Sequence, residues 1–384
     1  MTSTSAGGAE DSADRAAGGT AAPGGAADGG APVDAGTERA GPAGVTAGAG
    51  AAGPSGKTSA PPETERGRVA AGVIEIDTLL GGWERMTAGY LIEGPRPVLI
   101  ETGSQSSIAT LLGALDRLGV SPADLAGVAV THIHLDHAGG VGDVARAFPG
   151  AAVYVHEKGA RHLVDPARLV DSAARVYGPL LDSLYGRLDP TPAERIHVLY
   201  DGEEIDVGDG RSLHTIDSPG HAKHHLGLLD STSGLLFAGD AVGVRLPDGG
   251  VLRPATPPPD FDLDQALRSL RRFAEHRPAA IALAHYGLVP LDPDELLEEA
   301  DGTLRLWAEE AERAWRADED IAEALEKRFG GRAAGTAADG AVLDDASREK
   351  LETLNGFHSN AAGLRRWLEQ RAAAEADRSG PAEN

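Results

Sequence analysis

The chain has 384 residues, enough for one large domain or two ordinary ones, and its 35 basic and 59 acidic residues give a formal net charge of −24. This charge repels phosphate backbones, and no run of Lys and Arg offsets it locally, so we expect no nucleic acid as a partner. There is no cysteine, which excludes disulfides, thiolate ligands and a cysteine nucleophile. His, Asp and Glu remain as candidate metal ligands.

The N-terminal segment, residues 1–66, consists mostly of Ala, Gly, Pro, Ser and Thr. It cannot bury enough apolar surface to offset its ordering entropy, so we predict a disordered tail. Its first residues lack the apolar core of a signal peptide, and no run of about 18 apolar residues occurs anywhere in the chain. We therefore expect a cytoplasmic protein without a membrane segment.

A domain is predicted over residues 67–290. It begins with three short strands separated by Gly and Pro, followed by an amphipathic helix at 106–119 and a buried strand that ends at the first histidine of a cluster. A helix, a strand and a mostly helical stretch over 157–187 come next. From residue 196 a second group of strands is predicted, with one helix before the last strand.

The remaining residues, 291–384, are predicted to form a helical C-terminal extension. Asp292 is expected to cap its first helix, with Pro293 at the first helical position. Apolar residues such as Leu304 and Trp307 recur at helical spacing, and a Gly/Ala-rich break around 330–340 precedes another helical stretch. We expect the apolar stripes to pack in a core or to form a homodimer interface.

The stretch "THIHLDHAGG", residues 131–140, places three histidines and an aspartate within six positions directly after a buried strand. It is either a polar loop that happens to be rich in histidine or a set of metal ligands. Further His and Asp residues follow other apolar strands, in "DSPGHAKHH", "LLFAGDAVG" and "IALAHYG". Side chains at strand ends converge on one edge of a fold, so the repeated placement favours a metal site.

HxHxDH, a later PGH, then GD and a strand-end His resemble the motifs of the metallo-β-lactamase superfamily, and of its glyoxalase-II-like hydrolases in particular. More narrowly, "ETGSQSSIATLL", "YVHEKGARHLVDP" and "RPATPPPDFDLDQAL" resemble a largely uncharacterised prokaryotic branch. The resemblance extends from Val69 to about Gly287. It implies an α+β fold, a four-layer αβ/βα sandwich with two mixed sheets between helices.

The same resemblance implies two divalent metal ions, zinc by preference, with iron or manganese as alternatives. The residues at the ligand positions are His132, His134 and His221 for one ion, Asp136, His137 and His285 for the other, and Asp240 as a bridge. Asp136 would also act in catalysis by orienting the nucleophile and accepting its proton.

Two further residues are expected around the ligands. His225 resembles a histidine that supports the ligands in these hydrolases, although it could equally be a simple polar residue at the start of a strand. Glu101 stands where an Asp is more usual and is expected to support the ligands in the same way. His224 is left without a role.

Substrate-binding residues are predicted in two segments. Tyr177 and Tyr185 share one face of an amphipathic stretch, which is either a lid or a packing helix. Arg245 and Arg253 lie in a long Pro-rich loop after Asp240, and we expect them to bind a substrate carboxylate.

The predicted function is hydrolysis of an ester, thioester or lactone in a small molecule by a hydroxide that bridges two metals. The segment after Asp240 lacks the Cys-Gly-Arg type of sequence of glyoxalase II, and the helical tail has no basic set for glutathione. Two alternatives stay open: a redox enzyme like the mononuclear-iron persulfide dioxygenases, and a non-catalytic metal-binding or sensor protein.

Overall fold

A computed structural model describes residues 67–247, 251–330 and 344–379. The predicted tail over 1–66 lies outside the described residues. So does almost all of the Gly/Ala-rich break predicted around 330–340.

The first β-sheet has seven strands in the order of the sequence. They are β1 (Arg68–Ala70), β2 (Val73–Asp77), β3 (Ala88–Ile92), β4 (Val98–Ile100), β5 (Gly127–Ala129), β6 (Ala152–His156) and β7 (Ile196–Leu199). Strands β1 to β4 pair antiparallel, whereas β4 to β7 run parallel because helices connect them.

The second sheet has six strands in the order β13-β12-β11-β10-β9-β8. They are β8 (Glu204–Gly208), β9 (Arg211–Asp217), β10 (Leu226–Asp230), β11 (Leu235–Phe237), β12 (Ala280–Leu283) and β13 (Gly287–Leu288). The β11–β12 pair is parallel and the other pairs are antiparallel, so both sheets are mixed, as predicted.

Successive side chains of a strand point to opposite faces of its sheet, so each strand contributes to two different cores. On β4, Val98 and Ile100 belong to the core between the two sheets, whereas Leu99 faces the helices on the other side. On β11, Phe237 belongs to the core between the sheets and Leu236 to the core on the outer face. Two sheets that are apolar on both faces need a layer of helices on each side. The predicted α+β, four-layer αβ/βα sandwich is confirmed.

Helices cover both outer faces. The helices in the first half of the chain are α1 (Ile108–Arg117), α2 (Leu135–Ala138), α3 (Val141–Ala147), α4 (Glu157–Val164) and α5 (Ala167–Tyr177), followed by a π-helical turn at Leu181–Tyr185. On the second sheet lies α6 (Leu263–Glu275), joined by the first turns of the next helix, whose Leu296 and Ala300 pack on the outer face.

The C-terminal helices are α7 (Pro293–Arg316), α8 (Ile321–Phe329), α9 (Asp345–Asn355) and α10 (Phe357–Ser379). Asp292 caps α7 as predicted, since its Oδ1 accepts a hydrogen bond from the backbone N–H of Asp294 at 2.9 Å. Apolar residues of α7, α8 and α10, among them Trp307 and Leu364, pack on one another within the chain. The predicted homodimer and the domain boundary at residue 290 stay predictions.

The last predicted helical stretch is divided at Gly356 into α9 and α10.

Among the described helices, none combines the length and apolar character that a membrane span requires.

Candidate metal centre

The predicted ligands follow the ends of four strands. His132 comes three residues after β5, His221 four residues after β9, and Asp240 three residues after β11, while His285 lies two residues beyond β12. The first three strand ends are followed by tight loops and the last by a turn, and together they bring seven donor side chains to one edge of the two sheets. The structure therefore gathers every ligand that the resemblance implies.

Two glycines allow these loops to approach closely. Gly239 has φ of +49°, and a Cβ there would lie 2.5 Å from Thr131 Oγ1 and 2.6 Å from His225 Nε2. Gly220 has φ of +138°, and its Cβ would lie 2.3 Å from backbone atoms of Ala266. A side chain at either position would push away the next residue, which is Asp240 or His221.

The first triad consists of His132, His134 and His221. The Nε2 atom of His132 and the Nε2 atom of His221 each lie 3.0 Å from Nδ1 of His134. Three ring nitrogens thus converge on one point from two separate loops.

The second triad consists of Asp136, His137 and His285. Nε2 of His285 is 3.2 Å from Nε2 of His137 and 3.4 Å from Oδ2 of Asp136. Nε2 of His137 is 3.8 Å from the same carboxylate oxygen.

Asp240 lies between the triads. Its Oδ2 is 3.6 Å from Nε2 of His221 in the first triad, while its Oδ1 is 3.5 Å from His137 Nε2 and 3.4 Å from His285 Nε2 in the second. Oδ1 is buried and has no hydrogen-bond partner among the described residues. One carboxylate therefore faces both groups, as a bridging ligand would.

The outer nitrogens of the histidines are held by neighbouring oxygens. Nδ1 of His221 donates to the carbonyl of Ala255 at 3.0 Å, and Nδ1 of His285 donates to that of Met86 at 2.9 Å. A carbonyl only accepts, so each of these rings carries a proton on Nδ1, and Nε2 is the nitrogen that faces the centre.

The donor set fits metal ions. Nε2 of His221 faces Nδ1 of His134 at 3.0 Å, so the two nitrogens can share one cation. In a tetrahedral zinc site with bonds of about 2.0–2.1 Å, donor atoms lie about 3.3 Å apart, close to the spacings in both triads. The unpartnered Oδ1 of Asp240 gives a second, independent indication.

Glu101 lies beside the second triad. It is buried, its Oε1 accepts a hydrogen bond from the backbone N–H of Thr131 at 3.1 Å, and its Oε2 lies 3.5 Å from Nδ1 of His137. Its backbone has φ of +61°, a left-handed conformation that a residue with a side chain adopts at a cost of about 1–2 kcal/mol. A carboxylate in this place can fix the orientation of the His137 ring, and the supporting role of Glu101 stays a prediction.

His225 supports the bridge. Its Nε2 accepts a hydrogen bond from the backbone N–H of Asp240 at 3.2 Å, and its Nδ1 lies 2.8 Å from Ser218 Oγ. The ring thus fixes the loop that carries Asp240, which favours the supporting role over that of a simple polar residue. His224, left without a role, stacks 6.2 Å from His132 and accepts a hydrogen bond from the backbone N–H of Ile133 at 3.4 Å.

The environment of the first triad disfavours protonation. Burial, followed by the neighbouring His221, lowers the pKa of His134 to about 3. Burial also lowers the pKa of His132 well below its usual value, and it lowers that of His221 although Asp240 partly opposes the change. In the metal-free protein these three rings are neutral and ready to bind a cation.

The environment of the second triad has the opposite effect. Burial lowers the pKa of His137 and His285, but the carboxylates of Asp240 and Asp136 outweigh it and raise both pKa values, that of His137 strongly. Burial raises the pKa of Asp136, yet His137 and His285 outweigh it and lower this pKa to about 2. In the metal-free protein the second triad therefore holds protons where the first does not.

A crevice of about 630 Å³ opens over both triads. Tyr177 and Tyr185, predicted to bind substrate, both line it, and their rings lie 4.3 Å apart between centroids. Tyr185 is also buried in the core beside Leu184, so this stretch both packs and lines the crevice.

The Pro-rich loop after Asp240 reaches the crevice through Val244, Ala255, Pro257 and Pro258, and not through its arginines. This placement differs from the prediction, and the physical reason is that acidic side chains hold both guanidinium groups elsewhere.

Arg245 forms an ion pair with Glu299 at 3.1 Å. Arg253 is buried, with its Nη1 2.6 Å from Glu352 Oε1 and its guanidinium 4.2 Å from the ring centroid of Phe357. Neither arginine lines the crevice.

Sequence reasoning missed the far wall of the crevice, which α9 and α10 supply through Glu352, Leu354, Asn355, His358 and Ser359. A network of amides fixes this wall: Asn360 Oδ1 accepts from the backbone N–H of Thr256 at 2.7 Å, and Asn355 Nδ2 donates to the carbonyl of Pro254 at 3.1 Å. The signal in the sequence was two asparagines on the apolar side of a helical stretch.

A family model for the metallo-beta-lactamase superfamily matches residues 82–285, more than half of the chain. The chain belongs to this superfamily. Protein ST1585 of Sulfurisphaera tokodaii, described as containing the metallo-beta-lactamase fold, is 32% identical over 196 residues, which are 50% of this chain and 69% of that protein. The uncharacterized protein YobT of Bacillus subtilis is 29% identical over 217 residues, or 55% of this chain and 87% of its own length.

The resemblance to glyoxalase-II-like hydrolases is also confirmed. A hydroxyacylglutathione hydrolase of Aeromonas hydrophila is 32% identical over 128 residues, which cover 33% of this chain and 37% of that enzyme. Among solved structures, that of ST1585 from Sulfolobus tokodaii aligns with a TM-score of 0.57 and 25% identity, over 77% of this chain and 98% of that one. The superfamily member TTHA1429 from Thermus thermophilus has a TM-score of 0.53 at 21% identity, over 79% and 95% of the two chains, and supports the fold alone.

Proposed function

We propose that the protein is a dinuclear metal-dependent hydrolase that cleaves an ester, thioester or lactone. The observation that carries the proposal is the position of Asp240, whose two carboxylate oxygens face one triad each. A bridging carboxylate between two complete sets of ligands is the arrangement that a pair of ions requires.

His132, His134 and His221 would hold one ion, and Asp136, His137 and His285 the other. Nitrogen and carboxylate donors without sulfur suit zinc, iron or manganese. A pair of such ions lowers the pKa of bound water to about 7 and polarises a carbonyl group, which is the chemistry that hydrolysis of an acyl compound needs.

Asp136 is suited to orient the attacking water by accepting a hydrogen bond from it. Its pKa of about 2 keeps the carboxylate ionised at neutral pH, and its Oδ2 already faces His285 and His137. Asp136 lies in the short helix α2 and its side chain is 13% exposed, so its carboxylate borders the crevice where substrate enters.

Tyr177 and Tyr185 are suited to stabilise negative charge on the substrate oxygen. Burial raises the pKa of both phenols, so both are protonated hydrogen-bond donors at neutral pH. They border the crevice together with Asp136, and the apolar Pro257, Pro258 and Leu354 help to exclude water.

The complete second triad favours this proposal over a mononuclear redox enzyme, which needs one ion only. It also favours catalysis over a sensor role, because a His or Asp residue stands at each of the seven ligand positions that the resemblance implies.

The proposal is tested by metal analysis of the purified protein together with a panel of 4-nitrophenyl esters, thioesters and lactones. We expect close to two transition-metal ions per chain and hydrolysis that depends on them. Asp136→Ala should reduce turnover by about a hundredfold or more, while Asp171→Ala, an exposed aspartate of α5, serves as the matched control. Oxygen consumption with a persulfide, without turnover of any acyl substrate, would contradict the proposal.

A further inference from the structure

A second cavity, of about 470 Å³, adjoins the crevice over the triads. We call it the α4–α5 cavity, because residues of both helices line it. Both cavities are lined by His134, Tyr177, Pro257, Pro258 and Ser359. Since His134 belongs to the first triad, a molecule held at the triads can extend directly into the α4–α5 cavity.

The α4–α5 cavity is lined by basic side chains. Lys158 and Arg161 come from α4, Arg168 from α5 and Lys223 from the loop that follows β9. Among the described residues that line the cavity, Asp260 supplies the only carboxylate, and its Oδ1 lies 2.9 Å from Nζ of Lys223. The lining therefore has four cations against one anion.

Three of these cations keep their charge available for a ligand. Within the described part of the chain, Lys158, Arg161 and Arg168 form no ion pair with a carboxylate, and all three are exposed. Arg161 contacts a neighbouring ring, since its Nε lies 3.1 Å from Nε2 of His162. Among the residues that the structure describes, no direct ion pair neutralises any of the three charges.

The charges act on a common region. Burial, and then the charges of Arg161 and Arg168, lower the pKa of His162, which also lines the cavity, although Asp165 and Asp260 partly oppose the change. The cavity is positive, whereas the whole chain has a formal charge of −24. This net negative charge repels anions from most of the surface. An anion near the protein is therefore attracted to this cavity in particular.

We propose that the α4–α5 cavity binds an anionic group, a carboxylate or a phosphate, at the end of the acyl substrate remote from the bond that is cleaved. The inference rests on the proposed function and narrows its substrate class to acyl compounds with a charged second end. The reacting carbonyl lies at the triads, and the charged end lies among Lys158, Arg161 and Arg168. Arg and Lys are the side chains that recognise both kinds of oxyanion.

The test uses three 4-nitrophenyl esters that differ only at the remote end: the hexanoate, the monoester of adipic acid and the 5-phosphonopentanoate. For the full-length metal-loaded protein we expect kcat/KM to be about tenfold or more higher for a charged ester than for the hexanoate. The preference should fall as salt is added, since exposed charges are screened over about 8–10 Å at physiological ionic strength.

Two variants connect any preference to the cavity. The triple variant Lys158→Gln, Arg161→Gln and Arg168→Gln should lose the preference while it keeps hydrolysis of the hexanoate, the metal content and the thermal midpoint. Arg175→Gln is the matched control, because Arg175 is an exposed arginine on α5 that lines neither cavity.

Binding of the three free acids, hexanoate, adipate and 5-phosphonopentanoate, is measured by calorimetry without any turnover. All three have the carboxylate that a metal would bind, so their differences report the remote end alone. If the phosphonate binds more tightly than adipate, the anionic group of the substrate is a phosphate. If adipate binds as tightly or more tightly, the group is a carboxylate.

Equal binding of all three acids, or a preference that survives in the triple variant, would overturn the inference. If no ester is hydrolysed but the charged acids bind better, the proposed function fails while the anion site stands. If the hexanoate ester is hydrolysed but the charged acids bind no more tightly than hexanoate, only the proposed anion site is wrong.

Discussion

The two triads lie side by side and both face Asp240, yet their electrostatic environments differ. The first has three histidines whose pKa values are lowered, mainly because burial removes water from them. The second has two histidines whose pKa values are raised, because carboxylates outweigh the same burial. A buried histidine can therefore be prepared for a metal or for a proton by the charges that surround it.

This difference predicts an order in which the sites fill. A cation enters the first triad without displacing a proton, whereas at the second it has to compete with protons on His137 and His285. The second triad has in return two carboxylates within reach, Asp136 and Asp240, so it attracts a cation more strongly once the protons are gone.

Removal of the shared bridge should have the largest effect. Asp240→Ala deprives both triads of a ligand and leaves His137 without its main counter-charge. We expect metal content to fall from about two ions to less than one per chain, and ester hydrolysis to fall by more than about a hundredfold. Elemental analysis after gel filtration measures the metal content. If this variant retains two ions, the proposal that Asp240 bridges them is wrong.

Acidification should separate the triads. Raised pKa values mean that His137 and His285 hold protons at low pH and lose them as pH rises, so the affinity of the second triad for metal should increase with pH. The affinity should fall on acidification by at most about tenfold per pH unit for each proton that the metal displaces. The first triad should change little, because the pKa of His134 is about 3.

The measurement is a titration of chelator-treated protein with zinc at three pH values. His285→Ala should leave one ion whose affinity hardly depends on pH, and His221→Ala one ion whose affinity does. Parallel loss of both ions on acidification would mean that the two environments do not differ as described.

Glu101→Gln should have a smaller effect that is confined to the second triad. The substitution keeps the size of the side chain but removes the charge 3.5 Å from Nδ1 of His137. Supporting groups of this kind change metal affinity by about 10- to 100-fold. Glu93→Gln on the surface is the control. If the first and second ions weaken equally in Glu101→Gln, the selective role of Glu101 is wrong.

The smallest effect is expected from the N-terminal segment. A chain that starts at Gly67 should keep the metal content, the pH response of both triads and the thermal midpoint of the full chain, because residues 1–66 lack the apolar side chains that packing needs. A marked change in any of the three would show that the segment contacts the folded part.

The residues of the two triads and Asp240 could be singled out from the sequence because each follows an apolar strand in a short motif. His132 and Asp240 are recognisable from their immediate neighbours, and the same holds for the helix cap at Asp292. Local patterns of this kind depend on a few adjacent residues, so they can be read without knowledge of the fold.

The crevice wall and the basic cavity could not be predicted in this way. Arg253 and Glu352, which meet in an ion pair, are 99 residues apart, and no local pattern relates them. Lys158, Arg168 and Lys223 come from three segments, so the sequence has no basic run although the fold has a basic cavity. The prediction for Arg253 treated a loop arginine as free, whereas a distant helix supplies its partner.

The late position of the crevice wall in the chain has a consequence for biosynthesis. All seven metal donors lie between His132 and His285, whereas the wall supplied by α9 and α10 begins at Glu352. At synthesis rates of about 5–20 residues per second, the ribosome takes roughly 3 to 13 s to pass from His285 to Glu352. In that interval the nascent chain already has its metal-binding residues but lacks the wall. Every side chain of the two triads is therefore synthesised before the wall that completes the crevice.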